Sequence, residues 1–129
     1  MLPFSIKILP GLPIYEQIVH AVKRAIAGGR LRPGDRFPAV RTISVELGVN
    51  PNTVQKAVSE LTAQRYIEVH PGQGCFVAPQ PSSPKEIQAG ALRPHIERLL
   101  IEAAHHGVTE DQLLKLIHSE RKRLHGTSN

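Results

Sequence analysis

The sequence predicts a mainly α-helical protein with a small β-hairpin, laid out as a winged helix-turn-helix domain followed by a two-helix C-terminal segment. Three observations predict it. Apolar residues recur at the i, i+3, i+4 spacing of a buried helix face in five separate stretches. Between Ile67 and Ala78 that period gives way to two short β-type runs around Pro71-Gly72-Gln73-Gly74. Finally, Pro79-Gln80-Pro81-Ser82-Ser83-Pro84 has the composition of a stiff linker, so the helices beyond it form a separate piece. The expected organisation is a domain over 1–78 with an N-terminal arm at 1–12, a linker at 79–84, and a helical hairpin at 85–125.

Each element has its own signal. Residues 1–12 are apolar and punctuated by proline, which reads as an extended arm without saying where it docks. Pro13 opens the first helix, with Ile14, Ile18, Val22 and Ala25/Ile26 on its buried face and Gly28 as its stop. Leu31 to Pro38 reads as a compact turn. Pro33-Gly34 suits the centre of a type II turn, and Leu31 and Phe37 are its apolar anchors. A second helix is expected from Ala39 to Leu47, with Val40, Ile43, Ser44 and Leu47 inward, ending at Gly48-Val49.

The third helix starts almost at once, with Asn50 as N-cap and Pro51 at the first helical position, where its missing N–H leaves nothing unpaired. Val54, Ala57, Val58 and Leu61 form an apolar stripe. Asn52, Gln55, Lys56 and Ser59 repeat the spacing on the opposite side, and none is a carboxylate. Two short helices around a tight glycine turn make a helix-turn-helix, and the hairpin after it, Ile67–His70 and Cys75–Ala78, is then a wing. Beyond the linker, Ile87, Leu92, Ile96, Leu99, Leu100 and Ala103 suggest a helix to about His106, which Pro94 should kink or begin. Gly107 ends it. Thr109 and Gln112 form a capping box for a last helix to about Leu124, with Leu113, Leu114, Ile117 and Leu124 as its stripe. Two helices make a poor core alone, so a second copy of the segment is expected to cover them.

Composition narrows the function. The 129 residues carry a formal charge of +5, and 1–78 hold nine Lys and Arg against five Asp and Glu, which suits a polyanionic partner. Aromatics are 4% with no Trp, so the core is aliphatic. A lone cysteine, Cys75, excludes an intramolecular disulfide and points to a reducing compartment. Neither a signal peptide nor a run of ~20 apolar residues is evident, so a cytoplasmic protein with no membrane partner is expected. No nucleophile–base pattern or phosphate-binding loop appears, so the chain is not read as an enzyme. His95, Glu102, His105, His106 and His118 lack ligand spacing, so neither a metal nor another cofactor is expected.

This order of elements, with Ile26–Arg30 and Leu31, then Pro33-Gly34-Asp35-Arg36-Phe37-Pro38-Ala39-Val40-Arg41, then Leu47-Gly48-Val49-Asn50-Pro51-Asn52-Thr53-Val54, then Gly72-Gln73-Gly74-Cys75-Phe76-Val77, resembles the GntR family of bacterial transcription regulators, in its short YtrA-like form. The resemblance covers roughly residues 13–78, and the tail by size and type only. It implies a homodimer that binds operator DNA, usually as a repressor released by a small-molecule effector. It also implies DNA contacts at Arg41, at Asn50, Asn52, Thr53, Gln55 and Lys56, and at Gly72 and Gln73 of the wing. Arg can fork onto guanine or phosphate, Asn and Gln pair with adenine, and Lys meets phosphate. Dimerisation is expected through Ile96, Leu99, Leu100, Leu113, Leu114 and Ile117. The competing expectation is a winged-helix protein-interaction module without specific DNA binding. Three positions depart from the family pattern: Ala39 and Thr42 replace a Ser-x-x-Glu cap, Gln64-Arg65-Tyr66 lacks the usual glycine, and Val58 stands where an aromatic is common.

Overall fold

The computed structural model describes residues 1–79 and 85–126, and for 85–88 the backbone alone. Apart from Pro79, the expected linker lies outside the described residues. The described chain divides into two compact units, the first holding three helices and a sheet, the second a pair of helices up to Arg123.

In the first unit α1 spans Ile14–Ala27 and buries Ile18, Val19, Ala21, Val22 and Ala25. The buried face is wider than the spacing predicts, because Val19 and Ala21 join it, while Ile14 at the helix start is exposed. The next segment is the expected type II turn. The Asp35 N–H donates to Arg32 O at 3.0 Å and Gly34 has φ +89°, a conformation glycine adopts without Cβ strain. Leu31 and Phe37 are both buried. The turn also does more than predicted. Arg36–Phe37, just past the Arg32–Asp35 bend, form β1 and pair antiparallel with β3. Two residues show no alternation, so the sequence pattern could not reveal a third strand. The sheet order is β1-β3-β2, with β2 at Ile67–His70 and β3 at Gly74–Val77.

Helix α2 covers Val40–Leu47 and ends at Gly48 in the left-handed region. Val49 N–H returns to Ser44 O at 3.1 Å, and the Ser44 hydroxyl donates to Val49 O at 2.5 Å, so this buried polar side chain is satisfied. Helix α3 covers Pro51–Ala63, and Asn50 Oδ1 accepts from the Asn52 N–H at 2.7 Å, the expected cap. Val54, Ala57, Val58 and Leu61 are all buried. They close a core whose fully buried members include Ile18, Val22, Ile43, Val54, Leu61, Ile67 and Val77, aliphatic throughout. Ala39 gives α2 no side-chain cap, as its sequence implies. At the end of α3, Arg65 takes φ +63°, the left-handed position that a glycine fills without strain.

The arm is ordered by three attachments that its sequence did not announce. Phe4 is buried and stacks on Phe37 at 6.1 Å between ring centroids. The Gln17 amide donates to Leu9 O and Leu12 O and accepts from the Leu9 N–H. The Met1 ammonium lies 3.0 Å from Glu46 Oε1.

In the second unit α4 spans Lys85–His105 and runs through Pro94, so the helix begins earlier than a start at the proline. Pro94 donates no N–H, which leaves the carbonyl of Gly90 without its helical partner. Gly107, with φ +70°, ends the turn as expected, and Val108 N–H bonds Ala103 O at 2.8 Å. The capping box is complete: Thr109 N–H donates to Gln112 Oε1 at 2.9 Å and Gln112 N–H to Thr109 Oγ1 at 3.2 Å. Helix α5 then covers Glu110–Gly126. Ala103 and Leu113 are buried, while Leu92, Ile96, Leu99, Leu100, Ile101, Leu114, Leu116 and Ile117 remain 41–60% exposed.

Candidate nucleic-acid interface

Because the stripe of α3 is spent on the core, its opposite side is left outward. Asn52, Gln55, Lys56 and Ser59 are exposed, and Thr53 is half-buried at the edge of the same face. The exposed face of α3 carries one carboxylate, Glu60 near its end, which is tied to the Gln64 amide at 2.6 Å. Asn50 is exposed too, with its oxygen already committed to the cap. Gln55 Nε2 donates weakly to Ser59 Oγ at 3.3 Å, a bond that an incoming acceptor can replace.

Lys56 is held rather than free. Its Nζ lies 4.2 Å from the centroid of the Tyr15 ring, a cation–π contact between α3 and α1. The Glu16 carboxylate beside the phenol, and after it desolvation, raise the Tyr15 pKa, so the hydroxyl stays neutral and its ring face remains the partner of the ammonium. Asn52, Thr53 and Lys56 share a groove of about 670 Å³ with Pro13, Ile14 and Tyr15. In the sequence Tyr15 falls between Ile14 and Glu16, outside the apolar stripe of Ile14, Ile18, Val22 and Ala25/Ile26. Nothing in its spacing signals the contact across to Lys56.

Arg41 occupies the second position of α2, exposed, with no hydrogen-bond partner among the described residues. Its fork is therefore open to a ligand. The wing turn holds Gly72, at φ +78°, and Gln73, both exposed. Gln73 N–H closes the turn on His70 O at 2.8 Å. Gln73 O accepts from Arg36 Nη2 at 2.7 Å, so an arginine from β1 reaches the wing tip. In the sequence Arg36 falls within the Leu31–Pro38 turn, and nothing in its spacing signals a contact with the wing.

Of the eight residues named as DNA contacts, all in the same unit, seven are exposed on α2, on and before α3, and on the wing turn, and Thr53 is half-buried. Of the six named for dimerisation, Ile96, Leu99, Leu100, Leu114 and Ile117 are exposed, while Leu113 is buried. His95 Nδ1 pairs with Arg98 at 2.9 Å, His106 lies 3.6 Å from Glu102, and the His105 and His106 rings meet edge to face at 5.2 Å. Among the described residues no three His, Cys, Asp or Glu come together as a metal site. No described helix is long and apolar enough to cross a membrane.

Comparison with known proteins adds an independent line. The gntR family of bacterial regulatory proteins matches residues 14–77. The HTH-type transcriptional repressor YtrA of Bacillus subtilis is 33% identical over 102 residues, 78% of each chain. A crystal structure of a transcriptional antiterminator from Listeria monocytogenes is similar at a TM-score of 0.75 and 34% identity, over 95% of this chain and 92% of that one. The AraR DBD, in complex with an operator, matches at a TM-score of 0.51 and 26% identity, over 60% of this chain and 98% of that one.

Proposed function

From the premise that this chain belongs to the gntR family of bacterial regulatory proteins, we propose that it is a homodimeric repressor acting in the cytoplasm, whose α3 enters the major groove of an inverted-repeat operator. That it is a transcriptional regulator with a DNA-binding winged helix-turn-helix follows from the family itself. The observation that carries the finer reading is the division of α3 into a fully buried stripe and an outward face of Asn52, Gln55 and Lys56.

Each contact has a chemical role in this reading. Asn52 and Gln55 present amides that match the N6–H donor and N7 acceptor of adenine. Lys56, steadied over Tyr15, offers a point charge to a phosphate, and Arg41 a planar fork to guanine or phosphate. Thr53 adds a hydroxyl at the first turn of α3 and Asn50 the N–H groups of its amide. Gly72 and Gln73 bring backbone close to the sugar-phosphate chain with little side-chain bulk.

Pairing of two copies is supported by the apolar side chains left outward on α4 and α5, since exposed apolar patches of this kind mark association surfaces. A two-fold pair then presents two α3 helices to half-sites about one helical turn (~34 Å) apart, or a multiple of it. Repression is supported by the printed role of the Bacillus subtilis relative. Release by an effector belongs to the same reading, with no site assigned to it.

The decisive experiment selects bound sequences from a random DNA pool. The expected outcome is a motif with two-fold symmetry. Enrichment of no motif, by a protein that is folded and dimeric, would instead favour the protein-interaction reading. Enrichment of a single, unsymmetrical half-site would remove the inverted repeat.

A further inference from the structure

Resting on the DNA-binding reading above, we infer that Arg36 is the positioning residue of the wing: it holds the Gln73–Gly74 peptide in one orientation and so sets base preference where the wing meets the DNA. Three contacts converge on it. Arg36 sits opposite Phe76 in the β1–β3 ladder, and its guanidinium lies 5.3 Å from the Phe76 ring centroid. Its Nη2 donates to Gln73 O at 2.7 Å, a charge-assisted bond. On the way it passes Gly74, where an added Cβ would stand 3.6 Å from Nη1, in ordinary contact.

The tip needs such a holder. Gly72 and Gly74 both have positive φ, +78° and +112°, and glycine backbone of this kind moves readily. A lone two-stranded hairpin is marginal in water. Here the Gln73 N–H is fixed by His70 O, and the Gln73 carbonyl by Arg36. Two anchors on one residue define the tilt of the peptide units on either side of it, because each unit is planar. The clamp also has support from across the sheet. Glu68 faces Phe76 from the other strand, His70 stacks on the Phe76 ring at 4.6 Å, and His70 Nε2 lies 2.7 Å from Glu68 Oε2. The face that carries Arg36 is thereby built from all three strands. Since β1 leads directly into the helix bearing Arg41, the clamp also ties the wing to the helix-turn-helix.

A positioning role and a direct phosphate contact predict different results for the same variants, measured on the full chain with the operator selected above. Removing a preorganising bond should weaken operator binding about tenfold in Arg36→Gln. The slope of log affinity against log salt should stay at the wild-type value, because no phosphate contact is lost. Arg36→Lys keeps the charge but not the planar fork, and should not restore affinity. Selection with Arg36→Gln should flatten preference only at the bases beside the wing and leave those under α3 intact. Without any DNA, the amides of Gly72, Gln73 and Gly74 should become more mobile by NMR relaxation in both variants, a readout that holds even if the DNA reading fails. Unchanged amide mobility would overturn the proposal. So would a salt slope reduced by about one with rescue by lysine, which marks a direct phosphate contact. Retention of full affinity in Arg36→Gln would overturn it as well. If the wild-type chain selects no motif while the amides loosen as described, the clamp stands and the DNA reading falls.

Discussion

Helix α3 buries Val54, Ala57, Val58 and Leu61 completely or nearly so, whereas the corresponding stripe of α4, Ile96, Leu99 and Leu100, remains 41–50% exposed. The two stripes have the same spacing and similar apolarity. What differs is what surrounds them. The first lies among α1, α2, the sheet and the arm, and among the described residues no buried polar side-chain atom lacks a partner. The second has Ala103 and Leu113 as its buried apolar side chains. Period alone reports which face of a helix is apolar. Whether that face is a core or an interface depends on how many neighbours the chain supplies, and the front unit supplies them while the tail leaves room for another molecule.

The largest expected effect separates the two units outright. A chain cut after Ala78 keeps the sheet and its ties, including Val77 N–H to Asp35 O and Ala78 N–H to Tyr66 O. It should fold and be monomeric. Operator affinity should then fall by roughly 10²–10⁴, the gain that linking two half-site modules provides. Sedimentation and a binding titration check both parts. A truncated chain that stays dimeric would relocate the interface to the front unit.

Next comes a pair of core-type deletions. Leu61→Ala removes a fully buried side chain and should cost about 2–5 kcal/mol of unfolding free energy at any protein concentration. Leu100→Ala removes one that is half exposed, so its loss should appear only as weaker self-association, with a melting temperature that depends on concentration. Denaturation at two protein concentrations tells them apart. Equal, concentration-independent losses would mean that the tail is an ordinary core.

Arg41→Ala tests the outward surface of the front unit. With no hydrogen-bond partner among the described residues, its removal should change stability by no more than ~0.5 kcal/mol. Operator affinity should drop by about 1–3 kcal/mol, either at one base position or uniformly with a shallower salt slope. Tight binding by this variant would remove Arg41 from the interface.

Most of the front unit was legible because its signals are local. The cap at Asn50, the stop at Gly48 and the Pro33-Gly34 turn each depend on residues a few positions apart, and each forms, as does the Thr109/Gln112 box in the second unit. The features that escaped are long-range. Phe4 on Phe37, Arg36 on Gln73 and Lys56 on Tyr15 join residues 33 to 41 apart, and no spacing rule reaches that far. They are also the contacts that position the arm, the wing and the outward face of α3. The family resemblance implies the eight proposed contact residues but not the aromatic ring and the arginine that touch two of them, Lys56 and Gln73.

Arg65 gives the finest contrast between local rule and tertiary demand. A turn from α3 into β2 must place one residue in the left-handed region, and Tyr66 N–H then returns to Leu61 O at 2.9 Å. Glycine fills that position without a Cβ clash, yet the chain uses arginine at φ +63°. The strain of a side chain there is about 1–2 kcal/mol, partly offset by the smaller backbone entropy that a non-glycine residue loses on folding. Arg65→Gly should therefore raise stability by about 0.5–1 kcal/mol, visible as a higher denaturation midpoint. Arg65 is also exposed at the base of the wing, so the same variant asks whether its charge is used. If stability rises while operator affinity falls with a shallower salt slope, the strained arginine is kept for the nucleic acid. If both rise or stay level, the position is simply an unoptimised turn.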